Sequence, residues 1–97
     1  APVEAYLVAI VRATRDHPDL QLGASPRASV GLYRAAQASA VLDGRRFVTP
    51  DDVKELAGPV LVHRLVVDLA RRLRGVTADS VVREILDSVP VPPVVTE

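Results

Sequence analysis

The sequence predicts an all-α fold, a compact and mostly antiparallel bundle of about four to five short helices. Apolar residues recur at helical spacing through most of the chain. Nearly every such segment also opens on a hydroxyl, proline or aspartate start signal and closes at a glycine or proline. A length of 97 residues supports one domain with a single core. No repeat or linker divides it, so residues 1–88 read as one helical domain and 89–97 as a Pro-rich extended tail.

Taken in order, Val3, Leu7, Ile10 and Val11 form a stripe over Pro2 to Asp16, with Glu4, Arg12 and Arg15 off it, which predicts an amphipathic helix. His17-Pro18 ends it, because the residue before a proline avoids the α region. After a short connection a second helix runs from Pro26 to about Leu42. Gly23 permits loop backbone angles, the Ser25 hydroxyl is placed to cap, and Pro26 suits the first helical position, where no amide donor is needed. Ala28, Leu32, Ala35, Ser39 and Leu42 form its stripe, with Val30, Tyr33, Gln37 and Val41 beside them. So many small side chains predict close helix–helix approach and a helix largely enclosed by its neighbours. Gly44 is its expected C-terminal stop.

Arg45-Arg46-Phe47-Val48 is too short for a helix and reads as a brief extended piece. Thr49-Pro50-Asp51-Asp52 then gives the strongest start signal in the chain, a capping hydroxyl, a first-turn proline and negative charge at the positive helix end. This helix is expected to reach Leu56 or Ala57, where Gly58-Pro59 interrupts it. From Pro59 to Leu73 the apolar residues suit a buried helix or a strand-like passage equally, and the helical reading extends to about Arg64. Gly75 breaks the chain again. Thr77-Ala78-Asp79 caps a last helix to about Ser88 with Val81, Ile85 and Leu86 inward, and Val89-Pro90-Val91-Pro92-Pro93 cannot continue it.

Composition narrows the function. Twelve basic and twelve acidic side chains cancel, and Lys54 is the only lysine, so no basic field points to nucleic acid or an anionic membrane. Cysteine is absent, which excludes disulfides and thiolate metal sites. No apolar run reaches the roughly 18–20 residues of a membrane span and no signal segment opens the chain, so a soluble protein is expected. The first residue is not methionine and the chain starts abruptly at a helix-like Pro2, which predicts a piece of something longer.

Independent catalysis finds little support. His17 and His63 lack close spacing with other ligands and read as surface or cap residues, so no metal site is expected. Lys54 sits inside a helix rather than in a Gly-rich phosphate loop, and no Gly-x-Ser-x-Gly surrounds a serine. Asp51 and Asp52 read as capping residues, and Arg71, Arg72 and Arg74 as a solvated basic face. One residue is locally misplaced. Arg27 falls in the first turn of its helix, where a positive charge is disfavoured by roughly 0.3–1 kcal/mol. A local rule broken without local gain marks a functional candidate.

Several segments in order carry a resemblance. They are Gly-Ala-Ser-Pro-Arg-Ala at 23–28, the alanine-rich helix, Gly44-Arg45, Phe47-Val-Thr-Pro-Asp-Asp-Val53, His63-Arg64-Leu65, and Glu84-Ile85-Leu86 before Val89-Pro90-Val91-Pro92. Together they resemble the C-terminal lid domain of MoxR-type AAA+ ATPases. The resemblance covers nearly the whole chain; Gly-Ala-Ser-Pro-Arg is its most specific part, and 65–75 matches less tightly.

The resemblance implies a cytoplasmic, helical lid packed on its own ATP-binding core. Arg27 matches the sensor 2 arginine that reaches the γ-phosphate of ATP. Gly23, Ala24 and Pro26 then shape the turn and are candidates for nucleotide contact. Mg2+ and the catalytic machinery would belong to the core, so the lid alone would bind no ATP and hydrolyse none. Neighbouring protomers in a hexameric ring, chaperone-like remodelling of clients and von Willebrand factor A domain partners are further implications. A guanidinium is always charged and offers forked donors that suit phosphate oxygens, so Arg27 becomes useful when another domain presents an anion. The alternative is a free-standing interaction module, or a histone-fold-like DNA-binding unit built around the capped helix after Arg46-Phe47-Val48-Thr49; neutral charge argues against DNA.

Overall fold

Helix α1 spans Pro2–Asp16 in the computed structural model, which describes residues 2–92. Its stripe is the expected one, with Leu7, Ile10 and Val11 buried and Val3 partly buried, but Tyr6 and Thr14 are buried as well. Burial pushes the Tyr6 phenol up from its usual range, and the nearby charge of Asp51 adds to the shift.

Helix α2 occupies Pro26–Leu42, as the start and stop signals predict. Its inward row departs from the expected one. Ala28 and Leu32 are buried, but the row then runs to Ala36 and Ala40 in steps of four, not to Ala35, Ser39 and Leu42, and Leu42 is 88% exposed. Each step of four advances about 40° around a helix of 3.6 residues per turn, so the buried row is an inclined ridge that crosses its partner at an angle. The expected alternation of four and three would run parallel to the axis. The small side chains in this row let α2 approach its main neighbour, helix α3 (Pro50–Leu61). Helix α1 packs against it as well, but enclosure is incomplete, because Val30, Val41 and Leu42 face outward. Gly44 follows with φ +76°, a left-handed stop that glycine adopts without strain.

Arg45–Val48 forms a bend rather than an extended strand. Arg45 holds it, donating to the Phe47 carbonyl at 3.3 Å and to both carboxylate oxygens of Asp52 at 2.6 Å. Helix α3 then covers Pro50–Leu61 behind a complete capping box, in which Thr49 accepts from the Asp52 amide and the Asp52 carboxylate accepts from the Thr49 amide. The expected break at Gly58-Pro59 does not occur. A proline inside a helix removes one amide donor and crowds the carbonyl four residues back, at a cost of about 3 kcal/mol. Opposing it, Ala57 and Leu61 are fully buried one turn apart, Pro59 points to solvent, and the Val62 amide closes the end on the Gly58 carbonyl. Burying a leucine is worth roughly 1.5–3 kcal/mol, which offsets most of that cost, and the last turn continues past the proline.

A single 3-10 turn, Val62–Arg64, follows. Val66–Val67 is a short strand, β2, pairing antiparallel with β1, Leu20–Leu22, in the register Leu20 to Val67 and Leu22 to Val66. This two-stranded sheet was not expected, because two or three residues are too few to show a period of two. It is continued by the Asp68 amide donating to the Asp19 carbonyl at 2.8 Å. Helix α4 is the short Leu69–Leu73, stopped by Gly75 at φ +94°. Helix α5, Ala78–Ser88, opens on a Thr77–Ser80 capping box, and buries Val81, Val82 and Ile85, with Leu86 only partly buried. The core thus lies among α1, α2, α3 and α5. Val89 packs partly against it, and residues 93–97 of the expected tail lie outside the described residues.

Candidate functional site

The turn ahead of α2 is built to a tight specification. Thr14, fully buried in the last turn of α1, donates its hydroxyl hydrogen to the Val11 carbonyl at 2.6 Å and accepts the Ala24 amide at 2.9 Å. The hydroxyl therefore satisfies itself and a loop amide at once, fixing the 23–25 backbone against α1. Gly23 sits so close to α1 that a Cβ there would stand 2.6 Å from the Thr14 carbonyl oxygen. Here glycine is required by approach, not by an unusual φ. Ala24 is 1% exposed and packs into the core. Pairing of β1 with β2 anchors the other end of the loop.

What emerges from this clamp is Arg27. The Ser25 side chain makes no cap hydrogen bond, contrary to expectation; instead its carbonyl accepts the Ala28 amide at 2.9 Å. Ser25, Pro26 and Arg27 are exposed, and the first turn of α2 holds no acidic residue. Among the described residues Arg27 forms no ion pair and donates no side-chain hydrogen bond. Of the four residues singled out from the sequence, then, Gly23 and Ala24 are parts of the clamp, whereas Pro26 and Arg27 form the surface it presents. Thr14 was missed. The one sequence signal for it is a hydroxyl in the otherwise apolar inward stripe of α1.

Two other clusters gain explanations from the fold. His17 accepts the Asp19 amide on Nδ1 at 3.1 Å, and its Nε2 lies 3.4 Å from a Glu84 carboxylate oxygen. Sequence spacing does not show that His17, Asp19 and Glu84 converge, yet one ligand-type atom from each lies within 4.8 Å of the others. Metal binding needs a free imidazole lone pair. Here Nδ1 is taken by the amide, so the neutral ring carries its proton on Nε2 toward Glu84, and the trio is a clip between the α1–β1 turn and α5. Asp19 in turn lies 3.4 Å from Arg71, so that arginine is not simply solvated, while Arg72 and Arg74 are exposed.

At the α3 entrance the carboxylate of Asp52 is held at a pKa of about 2. Hydrogen bonds from Arg45 do most of this and Thr49 contributes, against the opposing effect of burial. Asp52 is therefore the capping residue expected, with an arginine partner that the sequence did not reveal. Asp51 remains exposed in the same first turn.

Among the described residues, five helices and a two-strand clasp form a bundle that presents Arg27 at a helix start. The AAA lid domain family model matches residues 12–85. Protein YeaC of Bacillus subtilis, itself uncharacterised, is 46% identical over 90 residues, covering 93% of this chain and 28% of that protein. Chaperone MoxR1 of Mycobacterium tuberculosis is 37% identical over 98 residues, covering 92% of this chain and 26% of its own length. A crystal structure from Cytophaga hutchinsonii, assigned as an ATPase, superposes with a TM-score of 0.89 at 30% identity, over 95% of this chain and 31% of that one. The chain belongs to the AAA lid domain family and is a lid of the MoxR type. It spans about a quarter of the length of the curated relatives it matches. No helix among the described residues is long and apolar enough to cross a membrane.

Proposed function

We infer that this lid senses the nucleotide held by an ATP-binding core, with Arg27 acting as the sensor 2 arginine toward the γ-phosphate. The observation that carries this reading is an exposed guanidinium without a carboxylate partner among the described residues, standing on a turn fixed by Thr14, Gly23 and Ala24. An always-charged forked donor held in place without internal use fits a phosphate group delivered from outside. Bound ATP with Mg2+ would supply the phosphoryl group that is transferred to water. This chain would supply Arg27 as a stabiliser of charge on that group, Gly23 and Ala24 as the shape behind it, and Pro26 as the edge of the surface facing the nucleotide. The clamp matters because donors placed beforehand need no rearrangement as charge develops.

In the same reading the lid moves as a unit, residues 1–88, and passes nucleotide state to ring neighbours. The relatives named MoxR, one of them a chaperone, support extending this to remodelling of client proteins; a hexameric cytoplasmic ring with von Willebrand factor A domain partners is the further proposal that the family resemblance implies. The test is Arg27→Ala in the complete ATPase. Turnover is expected to fall about 10²–10³-fold, the usual effect of losing one preorganised donor to a developing anion. Unchanged turnover together with unchanged ATP-driven assembly would remove the sensor role.

A further inference from the structure

Arg27 is not alone on its face of α2. A Cβ placed on Gly31, one helical turn further along, would stand 3.5 Å from the Arg64 Nη2, so the guanidinium of Arg64 lies across the bare backbone of that glycine. Residues four apart on a helix are about 5–6 Å neighbours, which places the Arg64 head beside the turn that carries Arg27. Arg64 comes from the 3-10 turn after α3, well separated in sequence, and is exposed.

The two elements that carry this pair hold no acidic residue, although Glu4 of α1 lines the same surface hollow as Arg34. In a chain with balanced charges, the charged residues of α2 are Arg27 and Arg34 alone, and the turn Val62–Arg64 adds only Arg64 and His63. None of these three arginines forms an ion pair among the described residues. Like charges gathered beside the positive end of a helix are unfavourable unless an anion completes them. Arg45, Arg71 and Arg83, by contrast, each pair with an aspartate of the chain.

We propose that Arg64, seated on Gly31, is a second phosphate-facing arginine of the lid, contacting the same nucleotide phosphate chain as Arg27. This rests on the sensor reading of Arg27 and adds a residue to it. Gly31 is the seat: the missing side chain lets the guanidinium lie against the helix, one turn behind Arg27, with no hydrogen-bond partner among the described residues.

The test compares Arg27→Ala, Arg64→Ala, Gly31→Leu and Gly31→Ala in the complete ATPase, reading the ratio of ATPγS to ADP affinity, with thermal unfolding to confirm folding. Arg64→Ala is expected to lower that ratio about tenfold, in line with loss of a charge-assisted hydrogen bond. Gly31→Leu, which evicts the guanidinium but keeps its charge, is expected to lower it similarly, and Gly31→Ala, whose methyl makes only ordinary contact, to leave it unchanged. If Arg27→Ala lowers the ratio and Arg64→Ala does not, Arg64 is not a phosphate contact and the sensor reading stands. If Arg64→Ala weakens subunit assembly but leaves the ratio unchanged, its anion is a protein carboxylate and the proposal is overturned. If neither arginine affects the ratio, both readings fall. Should Arg64→Ala unfold, Arg64→Lys keeps the charge but loses the fork, and a ratio equal to that of the unmodified ATPase would overturn the proposal.

Discussion

Two arginines bracket helix α2, and the fold treats them in opposite ways. Arg45, just past the C-terminal end, is locked by two 2.6 Å hydrogen bonds to a buried aspartate and a third bond to the Phe47 carbonyl. Arg27, in the first turn, is mounted on a fixed turn while its side chain pairs with no group among the described residues. Both read in the sequence simply as an arginine near a helix end. The difference is that one has its anion built into the chain and the other has a rigid mount with no acidic partner among the described residues, the contrast on which the proposed sensor role of Arg27 rests.

If Arg45 and Asp52 carry structure, Asp52→Ala is the most damaging change to the folded chain among those considered. It removes the buried partner of Arg45, leaving only exposed Asp43, together with half of the capping box, and a loss of about 3 kcal/mol is expected by urea denaturation. The acid limb of the stability profile checks the same point. The Asp52 carboxyl has a pKa of about 2 in the fold against an ordinary 3.8. A depressed folded value means the carboxylate stabilises the fold at every pH above the ordinary value, and that this contribution is lost as pH falls from about 4 toward 2. Asp52→Asn is therefore expected to flatten stability in that window, and equal acid slopes in both proteins would show that the pair contributes nothing.

At the other end of α2 the mount itself can be broken. Gly23→Ala forces a methyl to within 2.6 Å of the Thr14 carbonyl oxygen, a backbone atom that cannot swing aside. Overpacking of this kind costs about 2 kcal/mol. Because the strain falls on the turn that aims Arg27, ATP turnover in the complete protein is expected to drop by more than the lost stability explains. A smaller effect is expected from Thr14→Val, which keeps the shape but leaves the buried Ala24 amide without its acceptor, at about 1–2 kcal/mol. Hydrogen exchange checks it directly: the Ala24 amide should lose protection while amides in the middle of α3 keep theirs. If Ala24 stays protected in Thr14→Val, another acceptor holds the loop and Thr14 is not the clamp.

How much of this was legible follows from what local chemistry can encode. The boundaries of α1 and α2 and the start of α3 carried their own caps, prolines and periodicity, so they could be read without neighbours. The passage of α3 through Gly58-Pro59 could not, because it is decided by burial of Ala57 and Leu61 against other elements. The β1–β2 clasp is likewise a long-range pairing of segments too short to show a pattern. At the candidate site, Arg27 was visible as a charge at the unfavourable helix end. Its support was not, since Thr14 is ten residues from its partner Ala24 and Gly23 is explained only by the backbone it touches. Arg64 reaches Gly31 across 33 positions of sequence, and nothing near Arg64 announces the contact.

The smallest expected effect on folding discriminates most. Arg27→Ala in this chain removes a cation that the helix end disfavours and that no carboxylate among the described residues pairs with, so stability is expected to stay within about 0.5 kcal/mol of the parent by urea midpoint. A loss above about 1 kcal/mol would place Arg27 with Arg45 as a structural arginine and dissolve the contrast between the two ends of α2. Neutral stability alone would not separate a sensor from any exposed side chain. The distinguishing result is the pairing of a silent substitution in the isolated fold with a large loss of turnover in the complete ATPase, because a residue that the fold does not use can only be costly to lose if something outside the fold uses it.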